Sequence, residues 1–235
     1  MKDVETGART LREREVWIEV AGAGRVSGLL LGPAEPAGLL VFGHGAGAGM
    51  RHTFMETTAT ALAERGVGSL RYQFPYVEAG RRAPDRTPVL VAAVRAAVEA
   101  GVELARDLAS GSDCPVVAGG KSMGGRMTST AAADAPLPGV EGLVFFGFPL
   151  HPAGRPGTER ANHLADVGLP MLFLQGTRDT LADLDLLRPV LAELEPRPTL
   201  HVVQDADHGF HVPKRTGRKD REVIDELAAA TAAWV

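Results

Sequence analysis

The feature that most restricts the fold is a recurrence of short runs that are apolar at nearly every position, rather than at every second one. GLLVFGHG, VGSLRY, PVVAGGKS, GLVFFG, PMLFLQG and TLHVVQD follow one another from Gly38 onward, separated by segments of helical periodicity. A strand apolar on both sides must be covered on both sides, which a mostly parallel sheet with crossover helices provides. The expected helices are Thr53 to Arg65, a long one with Thr87 as N-cap and Pro88 at its first helical position running to about Ala109, and one after Ser122. Two more are expected around Leu181 to Leu194 and from Lys219 to the C-terminus. Ahead of them VWIEV and RVSGLLL, joined by AGAG, read as a hairpin. No repeat or low-complexity linker divides the chain, so residues 1–235 are read as one three-layer α/β domain. The connection after GLVFFG holds a loop and one short helix, too little for a large lid.

Composition narrows the function. The 235 residues carry a formal net charge of −4, which gives no positive field for nucleic acid or an anionic membrane. Only 5% are aromatic, too few for base-stacking platforms. The opening MKDVETGARTLREREVW is charged throughout and lacks a signal-peptide core, no run reaches membrane-spanning length, and the single Cys114 suits a reducing compartment. A cytoplasmic protein is expected, with Cys114 an inert thiol.

GGKSMGGRM, Gly119 to Met127, admits two chemistries. A phosphate loop needs a glycine five residues before its Gly-Lys, where this chain has Pro115, which lacks an N–H. The other reading places Ser122 on a sharp strand-to-helix turn, with Gly120 and Gly124 leaving room for a crowded backbone. Later strand ends deliver Asp179, in LQGTRD, and His208, in DADHGF. The order Ser, Asp, His on successive strand ends suits a nucleophile, an acid and a base. Asp183, Asp205 and Asp207 compete for the role of acid. HGAGAG after the third strand offers an oxyanion donor at Ala46, with Gly45 or Gly47 as substitutes, and the Met123 N–H is the second. GHGAGA also fits a loose dinucleotide pattern, but the next strand ends in Arg71 and Gln73 rather than an acid. His208 and His211 lie three apart without a set of further ligands, so neither metal nor cofactor is expected. Lys121 and Arg126 read as solvent-facing charges, with a contact to an anionic substrate as the alternative for Arg126.

FGHGAGAGM, RYQFPYVEAGRRAPD, GGKSMGGRM, GFPLHPAGRPGTERANHL, LQGTRD and DADHGF together resemble the α/β-hydrolase superfamily. Within it the chain is similar to small hydrolases related to testis-expressed protein 30 and a scaffold subunit of the nonspecific lethal complex. Dienelactone-hydrolase-like esterases, which often carry a nucleophilic cysteine, are the next resemblance. The likeness implies an eight-stranded, lidless fold with nucleophile Ser122, acid Asp179 and base His208. Two segments are particular to the narrower group. In them Phe74, Tyr76, Arg81, Arg82 and His151 either brace loops or form an acyl pocket with an anion-binding rim. The expected activity is hydrolysis of a small, short-acyl ester or thioester. A non-catalytic interaction module, and a peptidase or acyltransferase using the same residues, are the alternatives.

Overall fold

A computed structural model describes residues 2–6, 9–109 and 114–235. The expected runs become strands β2 (Arg9–Val20), β3 (Gly24–Gly32), β4 (Gly38–Gly43), β5 (Val67–Tyr72), β6 (Val116–Lys121), β7 (Val140–Phe146), β8 (Met171–Gly176) and β9 (Thr199–Val203). A ninth strand, β1 (Lys2–Thr6), pairs antiparallel with β2 at the sheet edge. Its residues, KDVET, contain no apolar run, so the eight-strand expectation stopped short of it. The order across the sheet is β1-β2-β3-β5-β4-β6-β7-β8-β9, antiparallel up to the β3–β5 pair and parallel from β5 to β9.

Helices α1 (Thr53–Glu64), α2 (Pro75–Glu78), α3 (Thr87–Leu108), α4 (Met123–Asp134), α5 (Leu184–Ala192) and α6 (Asp220–Trp234) connect or cover these strands. Two differences from the sequence expectation are local. The N-cap of α3 is Arg86, with Thr87 already helical and no side-chain cap bond, because Arg86 holds the extended backbone that a cap requires. The turn α2 lies in a segment too short to show periodicity, and its Glu78 accepts from both the N–H and the hydroxyl of Ser27 on β3 (3.0 and 2.6 Å).

The apolar runs are two-sided in the way their composition demands. Leu39 and Val41 of β4, Leu143 and Phe145 of β7, and Met171 and Phe173 of β8 join one buried cluster, which α3 and α4 cover. Their strand neighbours Leu40, Phe42, Val144, Phe146, Leu172 and Leu174 join a second, covered by α1 and α6. The chain leaves β4 toward β5 on one side, and the strand on the other side of β4 is β6. The loops after β4 and β6 therefore diverge above one crevice, the place where open α/β sheets put their sites. No helix among the described residues is long and apolar enough to cross a membrane.

Candidate active site

Ser122 occupies the single residue between β6 and α4, at φ 50 and ψ −110, a conformation that costs an L-residue energy. The surroundings hold it there. Its N–H donates to Phe146 O (3.1 Å), and its carbonyl accepts from Arg126 N (3.0 Å). Gly120 and Gly124 let the start of α4 lie directly on the strands, since a Cβ at either position would run into Gly43 O.

The β8 and β9 loops bring the other two residues to it. His208 Nε2 lies 2.8 Å from Ser122 Oγ, and its Nδ1 lies 2.7 Å from Asp179 Oδ2. The Asp179 carboxylate is 1% exposed and also accepts from Gln175 Nε2 (2.5 Å) and from Leu181 N (2.8 Å). Gln175 is oriented in turn, because its Oε1 accepts from Phe148 N (3.1 Å) and so turns its Nε2 toward Asp179. Two of the competing carboxylates have other partners, and Asp205 engages through its backbone, its N–H donating to Thr177 Oγ1 (2.8 Å). Asp183 caps α5 through Asp185 N (2.8 Å), and Asp207 accepts from Gly209 N and His211 N (2.8 and 3.0 Å). His211, considered beside His208 in the sequence, bonds Asp220 instead (2.6 Å).

Ala46 lies in the loop after β4 and lines the cavity that also holds Ser122 and His208. Met123 opens α4, and neither its N–H nor that of Ala46 meets an acceptor among the described residues. A residue the sequence reading passed over organises this loop. His44 is fully buried; its Nδ1 donates to Gly45 O (2.8 Å) and its Nε2 accepts from Phe74 N (3.2 Å), which fixes a neutral tautomer. The loop is tied again by Arg71, donating to Met50 O (3.0 Å), and by Gln73, accepting from Met50 N (2.9 Å). These two side chains, which in the sequence spoke against a dinucleotide, hold the loop beside the serine.

Burial drives the His44 pKa down to about 4 from an ordinary 6.5. Below pH 6.5 the unfolded chain takes up a proton that the folded chain refuses. The stability from a neutral His44 is thus complete above 6.5 and is lost as pH falls toward 4, by on the order of 3 kcal/mol. Denaturant unfolding at pH 7 and pH 4.5 should show a larger acid loss for the parent than for His44→Gln. An equal loss in both would rule out this contribution.

The cavity beside Ser122 has a volume of about 580 Å3. Its walls come from the start of α1 (Phe54, Met55), from Phe210 after His208, and from Ile224 of α6. Phe54 and Phe210 stack with ring centroids 5.7 Å apart. None of Phe74, Tyr76, Arg81, Arg82 and His151 lines it. After β5 the chain folds into α2, which buries Phe74 and Tyr76 against His44 beneath the loop, ring centroids 5.0 and 6.1 Å away. Arg81 pairs with Asp85 (2.7 Å), Arg82 is exposed, and His151 is buried with Nδ1 on Pro152 O (2.9 Å). Cys114 is half-buried, its thiol pKa pushed up by desolvation.

A parallel sheet with helices on both faces and a serine on a strained turn, hydrogen-bonded to histidine and through it to a buried aspartate, defines the α/β-hydrolase class. The chain belongs to the alpha/beta hydrolase domain family, whose model matches residues 36–235. Its fold is similar to a dienelactone hydrolase from Anabaena variabilis (TM-score 0.75, 20% identity, 95% of this chain and 96% of that one). It is also similar to an α/β serine hydrolase without lid from Xanthomonas campestris (TM-score 0.72, 23% identity, 95% of each chain). A curated protein of Mycobacterium tuberculosis strain H37Rv with a provisional phosphoribosyl transferase name is 31% identical over 204 residues. That match covers 86% of this chain and 43% of the relative's length.

Proposed function

We propose that the chain is a serine hydrolase acting on a small ester or thioester through an acyl-enzyme. The observation that carries this reading is the unbroken hydrogen-bonded line Asp179–His208–Ser122 at the wall of an apolar cavity. Ser122 Oγ attacks the substrate carbonyl carbon while His208 Nε2 takes the hydroxyl proton. Asp179 holds Nδ1–H and offsets the charge that the ring acquires. The N–H groups of Ala46 and Met123 donate to the oxyanion as the carbonyl becomes tetrahedral. Collapse expels the alcohol or thiol, which leaves with the proton from His208. Water then attacks the acyl-serine, His208 takes its proton, and the acid departs as Ser122 recovers its own.

The acyl group is assigned to this cavity. No large lid is expected from the sequence, yet α1 and α6 supply apolar cover on one side of the serine. Each enclosed methylene contributes about 0.8 kcal/mol, and the contribution ends where the cavity does. The preference for short acyl groups is thus a limit set by the cavity. Arg81 and Arg82 do not line this cavity, and the proposal assigns them no contact with the acyl group. The provisional transferase name belongs to a relative of which the chain spans 43%, and the proposal assigns no phosphoribosyl transfer to this chain.

The test is fluorophosphonate labelling with mapping of the modified residue, followed by kcat/KM for esters and thioesters with acyl groups of two to twelve carbons. Expected are labelling at Ser122 and a kcat/KM that rises over the first few carbons and then levels. A folded protein that takes no label would refute the serine chemistry, and a kcat/KM still climbing at the longest chain would refute the bounded acyl site.

A further inference from the structure

Lys121, the last residue of β6, stands immediately before the serine and reads from sequence as a solvated charge. The structure turns it inward. Its ammonium donates to the main-chain oxygen of His208 at 2.5 Å and lies 5.7 and 5.4 Å from the ring centroids of Phe54 and Phe210. Gly147, at φ 70, makes the space: a Cβ there would lie 3.2 Å from Lys121 Nζ and 3.5 Å from both Asp179 Oδ2 and His208 Cε1. No carboxylate comes within ion-pair distance of Nζ among the described residues. Withdrawing an ammonium from water toward aromatic faces is costly unless its donors find partners, and ring faces return only part of that cost. The carbonyl that Nζ does reach belongs to the residue whose side chain bonds Ser122.

We propose that Lys121 is a positioning residue of the hydrolytic site: its protonated amine clamps the His208 main chain, so that the imidazole stays between Asp179 and Ser122. This rests on the serine-hydrolase reading above. The bond is charge-assisted, and such bonds are roughly twice as strong as neutral ones, so a neutral amine holds the loop less firmly. Desolvation lowers the Lys121 pKa to about 8, while the nearby charges of Asp179 and Asp207 work to raise it. The ammonium is therefore present below about pH 8 and is lost as pH rises through that value. The other ionisable groups facing the cavity are His52 ahead of α1, His208 and His211 after β9, and Asp220 and Arg221 of α6. None of these side chains bonds Lys121 Nζ.

The experiment measures kcat and KM from pH 6 to 10 on a short-acyl ester for the parent, Lys121→Met and Ser122→Ala, with melting temperatures at each pH. The parent should show a falling alkaline limb in kcat near pH 8 while remaining folded. Lys121→Met should lose about tenfold in kcat at pH 7 with KM within about twofold, and should lack the limb. A lysine that only filled space would leave the pH profile unmoved. The proposal is overturned by a parent profile flat to pH 10, which needs no variant to fold. It is equally overturned by a Lys121→Met enzyme with the parent's kcat and limb. Turnover retained by Ser122→Ala would instead sink the serine-hydrolase reading.

Discussion

Ser122→Ala should remove ester turnover to background while the protein stays folded, and Ser122→Gly, equally inactive, should melt higher than Ser122→Ala. The first half follows from the proposed attack, since alanine leaves no oxygen to form the acyl-enzyme. The second follows from the backbone. At φ 50 and ψ −110 any residue with a Cβ is strained, by about 1 to 3 kcal/mol, and glycine is not. Glycine gives back about 0.4 to 1 kcal/mol through the greater freedom of the unfolded chain, so the net gain is on the order of 1 kcal/mol. In a chain of this size that is about 2 to 4 °C in melting temperature. Calorimetry and an ester assay on the same samples decide it. Turnover in either variant would remove Ser122 as nucleophile, and a glycine variant less stable than alanine would show that the turn is not strained.

Asp179→Asn should lower kcat about 10⁴-fold with little change in KM, by analogy with triad acids elsewhere. The reason lies in the donors already aimed at this carboxylate. His208 Nδ1 and Gln175 Nε2 both point at Oδ2, and Leu181 N points at Oδ1. An asparagine amide placed toward Oδ2 opposes two donors and forces His208 into the tautomer that cannot accept the serine proton. Placed toward Oδ1, it opposes the Leu181 N–H at a side-chain position that is itself only 1% exposed. Either way a buried donor loses its acceptor, so Asp179→Asn should also cost about 1 to 3 kcal/mol of stability. A fall in kcat of less than tenfold would move the acid's role to another residue.

The sequence disclosed what depends on strands buried on both faces. GLLVFG, PVVAGG, GLVFFG and PMLFLQG announce themselves because both of their faces are apolar, and Ser122 and Asp179 stand where such runs stop, while His208 follows the edge strand β9. The edge strand β1 gave no such signal, since KDVET has charge where a buried strand has valine or leucine. The cavity was illegible for a different reason. Phe54, Phe210 and Ile224 are far apart in the chain, and only the packing of α1 beside α6 over one face of the sheet brings them together. Phe74 and Tyr76 drew attention by standing near a strand end, but helix α2 turned them into the core. Lys121 closes a strand of small apolar residues, and nothing local says that its chain bends back beneath the His208 loop.

The backbone contact of Gly120 and Gly124 with Gly43 has a mechanical consequence. Between β4, β6 and the first turn of α4 there is no layer of side chains to yield, so peptide planes rest on peptide planes. An interface packed through leucine or methionine side chains can absorb a displacement by rotating or sliding them. This one has nothing to rotate. The serine is therefore anchored to the sheet like a fitting on a rigid beam, and any compliance the site shows toward substrates of different shape must come from the opposite wall, where Phe54, Phe210 and Ile224 meet the cavity through side chains that can turn.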